Sequence, residues 1–545
     1  MKYIKNRRLL ISLLLVIAML VPTQAFGATG LDGDKKVVNY AALGDSLTAG
    51  VMFDSTPEKP SVGLSFADYI AEDLQNVELL GSFEKPFAVP GATTIDLLTA
   101  LSKPEMQFKL QSTDMITISI GANDFLQVLK TNPDRLKDPV EVGKIMNQIA
   151  QNYGASMQII RKVNPTAQVY LMGYYNGFYK YPEDQQQPII QLTNMVNDII
   201  KGIALATNSH YVPTYDKIAE NPSKYLPNPA NVHPSLAGYM AIADEFWKKM
   251  SKNLPVNTTR IAGENRYETA IKISQAGWKE SAQAVILARG DDFPDALSGA
   301  PLAYDSDSPI LLTHSDALDP NVKEEIARLN PQVVYILGGN VAVSPEVEQE
   351  IIDMDIKTHR FDGADRYETS AKIGAFLPSS DTAVVANGTK FPDALAVASY
   401  AAENAYPIIL TKQNEIPKAS AKLLKNYPKS LAIGGTAVIS EDLFNKLPGA
   451  TRYGGADRYE TAAIIARDLN PSYKAFVSTG LEFADALTGS VLAAKTDNSF
   501  LLVHPEKMQN AVLKAKEELG IYHFTILGGP KAVSPTIEKE LQGVK

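Results

Sequence analysis

Apolar and polar positions along the first half of this chain follow a strand-then-helix rhythm. Val37, Val38, Tyr40 and Leu43 form a short apolar run that stops at Gly44-Asp45-Ser46, the pattern of a buried strand ending in a sharp turn. Similar runs at 77–80, 115–120, 168–172 and 211–214 predict further strands, and 65–74, 140–163, 191–206 and 235–250 carry helical apolar spacing. Strands separated by helices imply a parallel sheet covered on both faces, so residues 36–252 are predicted to form a three-layer α/β/α domain.

Beyond about residue 254 the chain repeats itself. Arg260-Ile261-Ala262-Gly263-Glu264-Asn265-Arg266-Tyr267-Glu268-Thr269 returns from Arg360 to Thr369 and again from Arg452 to Thr461. Phe293-Pro294-Asp295-Ala296-Leu297 matches Phe391 to Leu395 and Phe483 to Leu487, and each copy later carries an apolar run ending in Gly-Gly. An interval of roughly 100 residues suits a small domain rather than a solenoid coil. Three smaller open-sheet α/β modules are therefore expected at 257–355, 357–449 and 450–545.

Composition narrows the function. With 45% hydrophobic and 21% charged residues the 545-residue chain is ordinary globular protein, and its net charge of −9 argues against a general nucleic-acid binder. No cysteine is present, which excludes disulfides, thiolate nucleophiles and cysteine-ligated zinc. The Gly-Gly turns lack the spacing of a dinucleotide fingerprint, so neither a cofactor nor a metal is expected. Lys2, Lys5, Arg7 and Arg8 precede an apolar stretch at 9–21 and the small-residue run Ala25-Phe26-Gly27-Ala28, the layout of a signal peptide over 1–27. A secreted chain without a permanent membrane anchor is expected, the apolar stretch being short for a span.

Four polar clusters fall at predicted strand ends. They are Gly44-Asp45-Ser46, the loop glycine of Val89-Pro90-Gly91-Ala92, Gly121-Ala122-Asn123-Asp124, and Asn231-Val232-His233-Pro234-Ser235. In order, these blocks resemble the SGNH (GDSL) hydrolase family of esterases and lipases. The resemblance implies Ser46 as nucleophile and His233 as general base. It also implies an oxyanion hole made of the Ser46 and Gly91 N–H groups and the Asn123 amide. The chemistry suits those types, since a serine attacks an ester only when a neutral imidazole takes its proton and preplaced donors receive the oxyanion. Without such convergence Ser46 and His233 are helix caps and Asn123 a loop anchor. The family usually carries an aspartate two or three residues before the histidine, but Ala230 and Asn231 stand there. Either Asn231 or a backbone carbonyl is then expected to orient His233 in a Ser46–His233 dyad, or the enzyme is expected to be slow, with Asp216 a remote substitute; a decayed, noncatalytic domain is the alternative. The Tyr-rich stretch 173–181 should border the crevice, either exposing rings to substrate or covering the sheet edge.

The repeated Arg-x-x-Gly-x-x-Arg-Tyr-Glu-Thr followed by Asp-Ala-Leu and Gly-Gly resembles the cell-wall-binding type 2 repeat of Gram-positive surface proteins. That implies retention on an anionic wall polysaccharide, with Arg266, Arg366 and Arg458 as natural polymer contacts. The structural reading pairs each arginine with Asp295, Asp393 or Asp485 to fix its module. Together the resemblances imply a secreted, wall-attached serine esterase acting on acyl groups of lipids or wall glycans.

Overall fold

The computed structural model describes residues 36–56 and 59–543, so the stretch read as a signal peptide lies outside the described residues. Among the described residues, β1 (Val38–Gly44), β2 (Leu80–Ala88), β3 (Met115–Ser119), β4 (Gln168–Met172) and β5 (His210–Val212) form a five-stranded sheet in the order β2-β1-β3-β4-β5. Every pair is parallel, as the strand-helix rhythm requires. The chain runs outward from β1 to β2 and then crosses back to β3, and with right-handed crossovers this reversal sends helices to opposite faces. Around the sheet lie α1 (Ser46–Ala49), α2 (Phe66–Asn76), α3 (Thr94–Leu101), α4 (Ala122–Thr131), α5 (Pro139–Val163), α6 (Glu183–Ala206) and α7 (Leu236–Met250). α2 packs against α7, while α5 packs against both α3 and α6. The reversal leaves a crevice at the carboxyl end of β1, where open α/β sheets bind ligands.

One predicted strand is displaced. Residues 77–79 close α2 instead, with the Val77 N–H bonded to the Asp73 carbonyl and Glu78 at φ 57°, and β2 begins at Leu80. Its sequence, LGSFEKPFA, is half-exposed at the sheet edge, so it lacks the apolar run that marks a buried strand.

The repeats fold as parallel four-stranded sheets, but the sheets do not respect the sequence blocks. In chain order the strands are β6 (Asn257–Ile261), β7 (Ala284–Arg289), β8 (Ile310–Thr313), β9 (Val333–Leu337), β10 (Lys357–Phe361) and β11 (Thr382–Asn387). They continue with β12 (Ile408–Thr411), β13 (Lys429–Ile433), β14 (Ala450–Tyr453), β15 (Lys474–Thr479), β16 (Ser499–Val503) and β17 (His523–Leu527). The orders are β10-β9-β7-β8, β12-β11-β13-β14 and β16-β15-β17-β6. The opening strand of each repeat thus completes the sheet of the repeat before it, and β6 closes the ring on the third. The first motif arginine fastens each joint: Arg260, Arg360 and Arg452 donate to the carbonyls of Gly528, Gly338 and Gly434 at 2.7, 3.0 and 3.1 Å. Those glycines sit at φ +88°, +106° and +103°, which few other residues adopt.

At the centre, α8 (Gly299–Asp305), α9 (Phe391–Glu403) and α10 (Ala484–Lys495) pack together. The rings of Phe293, Phe391 and Phe483 meet there, with centroids 5.4, 5.9 and 6.5 Å apart. One apolar core is shared by all three modules, and the second and third modules each have a further cluster on the other face of their sheets. The N-terminal domain has its own core, into which Tyr522 of the third module packs.

Candidate active site

Asp45 makes the turn after β1. Its carboxylate accepts the Leu47 N–H at 3.0 Å and caps α1, which places Ser46 first in that helix with its N–H unused by the helix ladder. The neighbouring strand ends are tied to this turn: the Val89 N–H donates to the Gly44 carbonyl and the Asp45 N–H to the Ser119 carbonyl, both at 3.0 Å. Three strand ends therefore converge beside one serine.

His233 arrives from the loop before α7. Its Nε2 lies 2.8 Å from Ser46 Oγ, and its Nδ1 lies 2.5 Å from Asn231 Oδ1. The orientation of the Asn231 amide is fixed twice over. Its oxygen also accepts the His233 backbone N–H at 3.1 Å, and its Nδ2 donates to the Ser55 carbonyl at 3.2 Å. With an acceptor facing Nδ1, the imidazole holds its proton there and turns the Nε2 lone pair toward the serine hydroxyl. Burial, aided by Lys130, lowers the His233 pKa to about 4, so the ring is neutral at pH 7. The other histidine of this domain, His210, hydrogen-bonds Gln168 at 3.0 Å and stacks on Tyr170, apart from this loop cluster.

Gly91 adopts φ +80°, and a Cβ added there would meet nothing within 4 Å, so the loop leaves open space in front of its backbone. Asn123 lies in the first turn of α4, where its Nδ2 donates to the Ala92 carbonyl at 2.9 Å; the second amide hydrogen remains for another acceptor. Asp124 locks the two loops together by accepting the Thr94 backbone N–H at 3.1 Å and the Thr94 hydroxyl at 2.6 Å. A shallow depression beside the site, lined by Phe87, Val89, Pro90 and Ala100, meets it at Gly91 and Ala92.

The Tyr-rich stretch does not present all its rings to the crevice. Tyr174 and Tyr175 are buried, at 7% exposure each, while Tyr181 is exposed. A run of aromatic residues reads alike on either side of a surface, so sequence left their burial open.

In the repeats, Arg266, Arg366 and Arg458 each donate to a glycine carbonyl of their own repeat, Gly290, Gly388 and Gly480, at 2.6, 2.7 and 2.5 Å. Each guanidinium then lies over a phenylalanine of another module: Arg266 over Phe483, Arg366 over Phe293 and Arg458 over Phe391, at 5.7 to 5.9 Å. Arg266 also lies 3.6 Å from the Glu482 carboxylate of the third module. Arg266 lowers the Asp485 pKa and Arg458 that of Asp393, against a larger upward push from burial that leaves both near 6. Instead of facing the Asp of their own repeat, the arginines face the neighbouring module, because the ring brings its Phe-Pro-Asp or Phe-Ala-Asp turn against each of them.

A parallel α/β sheet with a serine, a neutral histidine and amide donors at the carboxyl ends of its strands defines a hydrolase-type site. Residues 42–241 match the GDSL-like Lipase/Acylhydrolase family, and 260–348, 360–444 and 452–538 each match Cell wall binding domain 2 (CWB2). The chain carries a GDSL-like acylhydrolase domain followed by three CWB2 repeats. It is 36% identical over 286 residues to N-acetylmuramoyl-L-alanine amidase LytC of Bacillus subtilis, covering 52% of this chain and 58% of that protein. It is 28% identical to spore germination lipase LipC of Bacillus licheniformis, over 38% of this chain and 94% of LipC. Cwp8 from Clostridium difficile superposes with a TM-score of 0.50 at 27% identity, over 56% of each chain. The chain spans about half the length of the curated relatives it matches first, 58% and 43%.

Proposed function

We propose that the protein is a serine carboxylic-ester hydrolase held on the cell wall by its three repeats. The observation that carries this reading is the chain of contacts from Ser46 Oγ through the His233 ring to Asn231 Oδ1, at 2.8 and 2.5 Å. Ser46 attacks the ester carbonyl while Nε2 of His233 takes its proton. The tetrahedral oxyanion is received by the Ser46 N–H, the Gly91 N–H and the free Asn123 amide hydrogen. His233 then protonates the departing alcohol, and water resolves the acyl-enzyme by the same route reversed. The alignment with LytC, 286 residues long, exceeds the whole 42–241 match and must extend into the repeats, and the ester reading rests instead on the GDSL-like match to 42–241 and on LipC.

Retention on anionic wall polysaccharide is the role proposed for the repeats, with Arg266, Arg366 and Arg458 as candidate contacts. Secretion from a Gram-positive cell completes the reading. Aryl esters of acetate, butyrate and octanoate, offered to the 28–545 protein and to Ser46→Ala, test the chemistry. Hydrolysis by the parent alone is expected, and equal rates would overturn it. Wall sedimentation of the same protein with and without residues 254–545 tests the anchoring.

Asn231 in place of a carboxylate favours a second reading, a wall protein whose hydrolase domain has lost its activity. The same comparison of the parent with Ser46→Ala decides between them.

A further inference from the structure

The loop after β4 touches both halves of the site. The Tyr174 hydroxyl donates to Asp45 Oδ2 at 3.2 Å, and Asp45 is the residue that turns the chain into Ser46. The next residue reaches the other half: the Tyr175 hydroxyl donates to the Val232 carbonyl at 2.9 Å, immediately before His233. Gly177 packs so closely on Val232 that an added Cβ would stand 2.9 Å from the valine Cβ. The loop itself is held from α6. Asn197 accepts the Tyr174 backbone N–H at 2.7 Å and donates to its carbonyl at 2.9 Å.

We infer that Tyr174 and Tyr175 are positioning residues, a brace that keeps the Ser46 turn and the His233 loop in register, and that the site depends on it because an amide, not a carboxylate, faces Nδ1 of the imidazole among the described residues. This rests on the esterase reading above. Ser46 and His233 lie on separate elements 187 residues apart and meet through one hydrogen bond. The His233 loop is tied on one side to the chain after Ser46, where Asn228 and Asn231 donate to the carbonyls of Phe53 and Ser55 at 2.9 and 3.2 Å. Ser235, after the histidine, donates to the Tyr225 and Lys224 carbonyls at 2.9 and 2.8 Å, and Tyr175 adds the tie on the residue just before it. A ring held from two sides keeps its Nε2 within reach of the hydroxyl, whereas one held from a single side swings, and small misplacements of reacting groups are costly in rate.

The test uses the 28–545 protein on an aryl butyrate. Tyr174→Phe and Tyr175→Phe remove one hydroxyl each and keep the packing; each should lower kcat about tenfold with KM within about twofold and little change in melting temperature. In an Asn231→Asp background, where the carboxylate steers the ring by itself, the Tyr175→Phe loss should shrink to under about threefold. Gly177→Val, which pushes on Val232 without touching either hydroxyl, should lower kcat as well. Both Phe variants within twofold of the parent would overturn the inference, as would equal losses from Tyr175→Phe in the parent and in the Asn231→Asp background. A parent no faster than Ser46→Ala would instead remove the esterase reading and the brace with it.

Discussion

Nδ1 of His233 lies 2.5 Å from Oδ1 of Asn231, where a serine triad would place a carboxylate. An amide in that position can present its N–H instead and force the ring into the unproductive tautomer, a change that costs orders of magnitude. Here the Ser55 carbonyl captures the Asn231 N–H and leaves the oxygen for histidine. The tautomer is preserved, but the electrostatic stabilisation of the imidazolium is not. Asn231→Asp should therefore raise kcat, by about tenfold or more on a short aryl ester, while Asn231→Ala should lower it by about tenfold. A rate unchanged by both substitutions would show that Asn231 does not steer the ring.

The acid limb of the rate profile follows from the same ring. Burial disfavours the imidazolium and holds the His233 pKa at about 4, below its ordinary value of 6.5. The general base is thus competent down to mildly acidic pH, and kcat/KM should fall only as pH drops toward 4. Introducing aspartate at position 231 favours the charged ring and should move that limb upward. A pH profile of both proteins measures the shift; a parent limb centred near 6.5 would contradict the burial argument.

Much of this site is legible in the linear chain because its residue types are set by chemistry and lie beside strand ends. Ser46, Gly91, Asn123 and His233 each follow a short apolar run or precede a helix, which a parallel sheet explains, and the resemblance of the four blocks in order to the SGNH family is what implies that they converge. β2 was displaced because an edge strand with Glu84 and Lys85 in it carries no apolar run. The ring of repeats was hidden for a different reason. Periodicity reports that Asn257–Ile261 is a strand, but not that its partner, His523–Leu527, lies at the far end of the chain. The cross-module partners of Arg266 and Arg458 follow from that same closure.

Asp45 gives a prediction about stability, its pKa being shifted up where that of His233 is shifted down. Burial pushes its carboxyl pKa up to about 7 from an ordinary 3.8, outweighing the hydrogen bonds from Leu47, Tyr174 and Ser119. A raised folded pKa means the folded state binds the proton more tightly. The associated stability is complete below about pH 3.8 and is lost as pH rises through 7. Asp45→Asn keeps an oxygen for the Leu47 N–H and cannot ionise. Its melting temperature should decline less than the parent's between about pH 4 and 7. Parallel declines in the two proteins would show that Asp45 does not titrate in this window.

The closed ring makes the three repeats a single folding unit rather than three beads on a string. Ending the chain at residue 449 removes β17, the partner of β6, and β14, which completes the second sheet. It also strips Arg260 of the Gly528 carbonyl and of its ion pair with Glu538 at 2.7 Å, and takes Phe483 from beneath Arg266. Two strand edges are exposed, and Tyr522 leaves the core of the hydrolase domain. Independent modules would keep about two thirds of their contacts with a polymer after this truncation, with a corresponding fall in avidity. The ring predicts instead that wall retention falls to background and that the melting temperature of the whole protein drops. Sedimentation with purified walls and a thermal melt of the 28–449 protein test this together; partial binding with an unchanged melt would show that the modules stand alone.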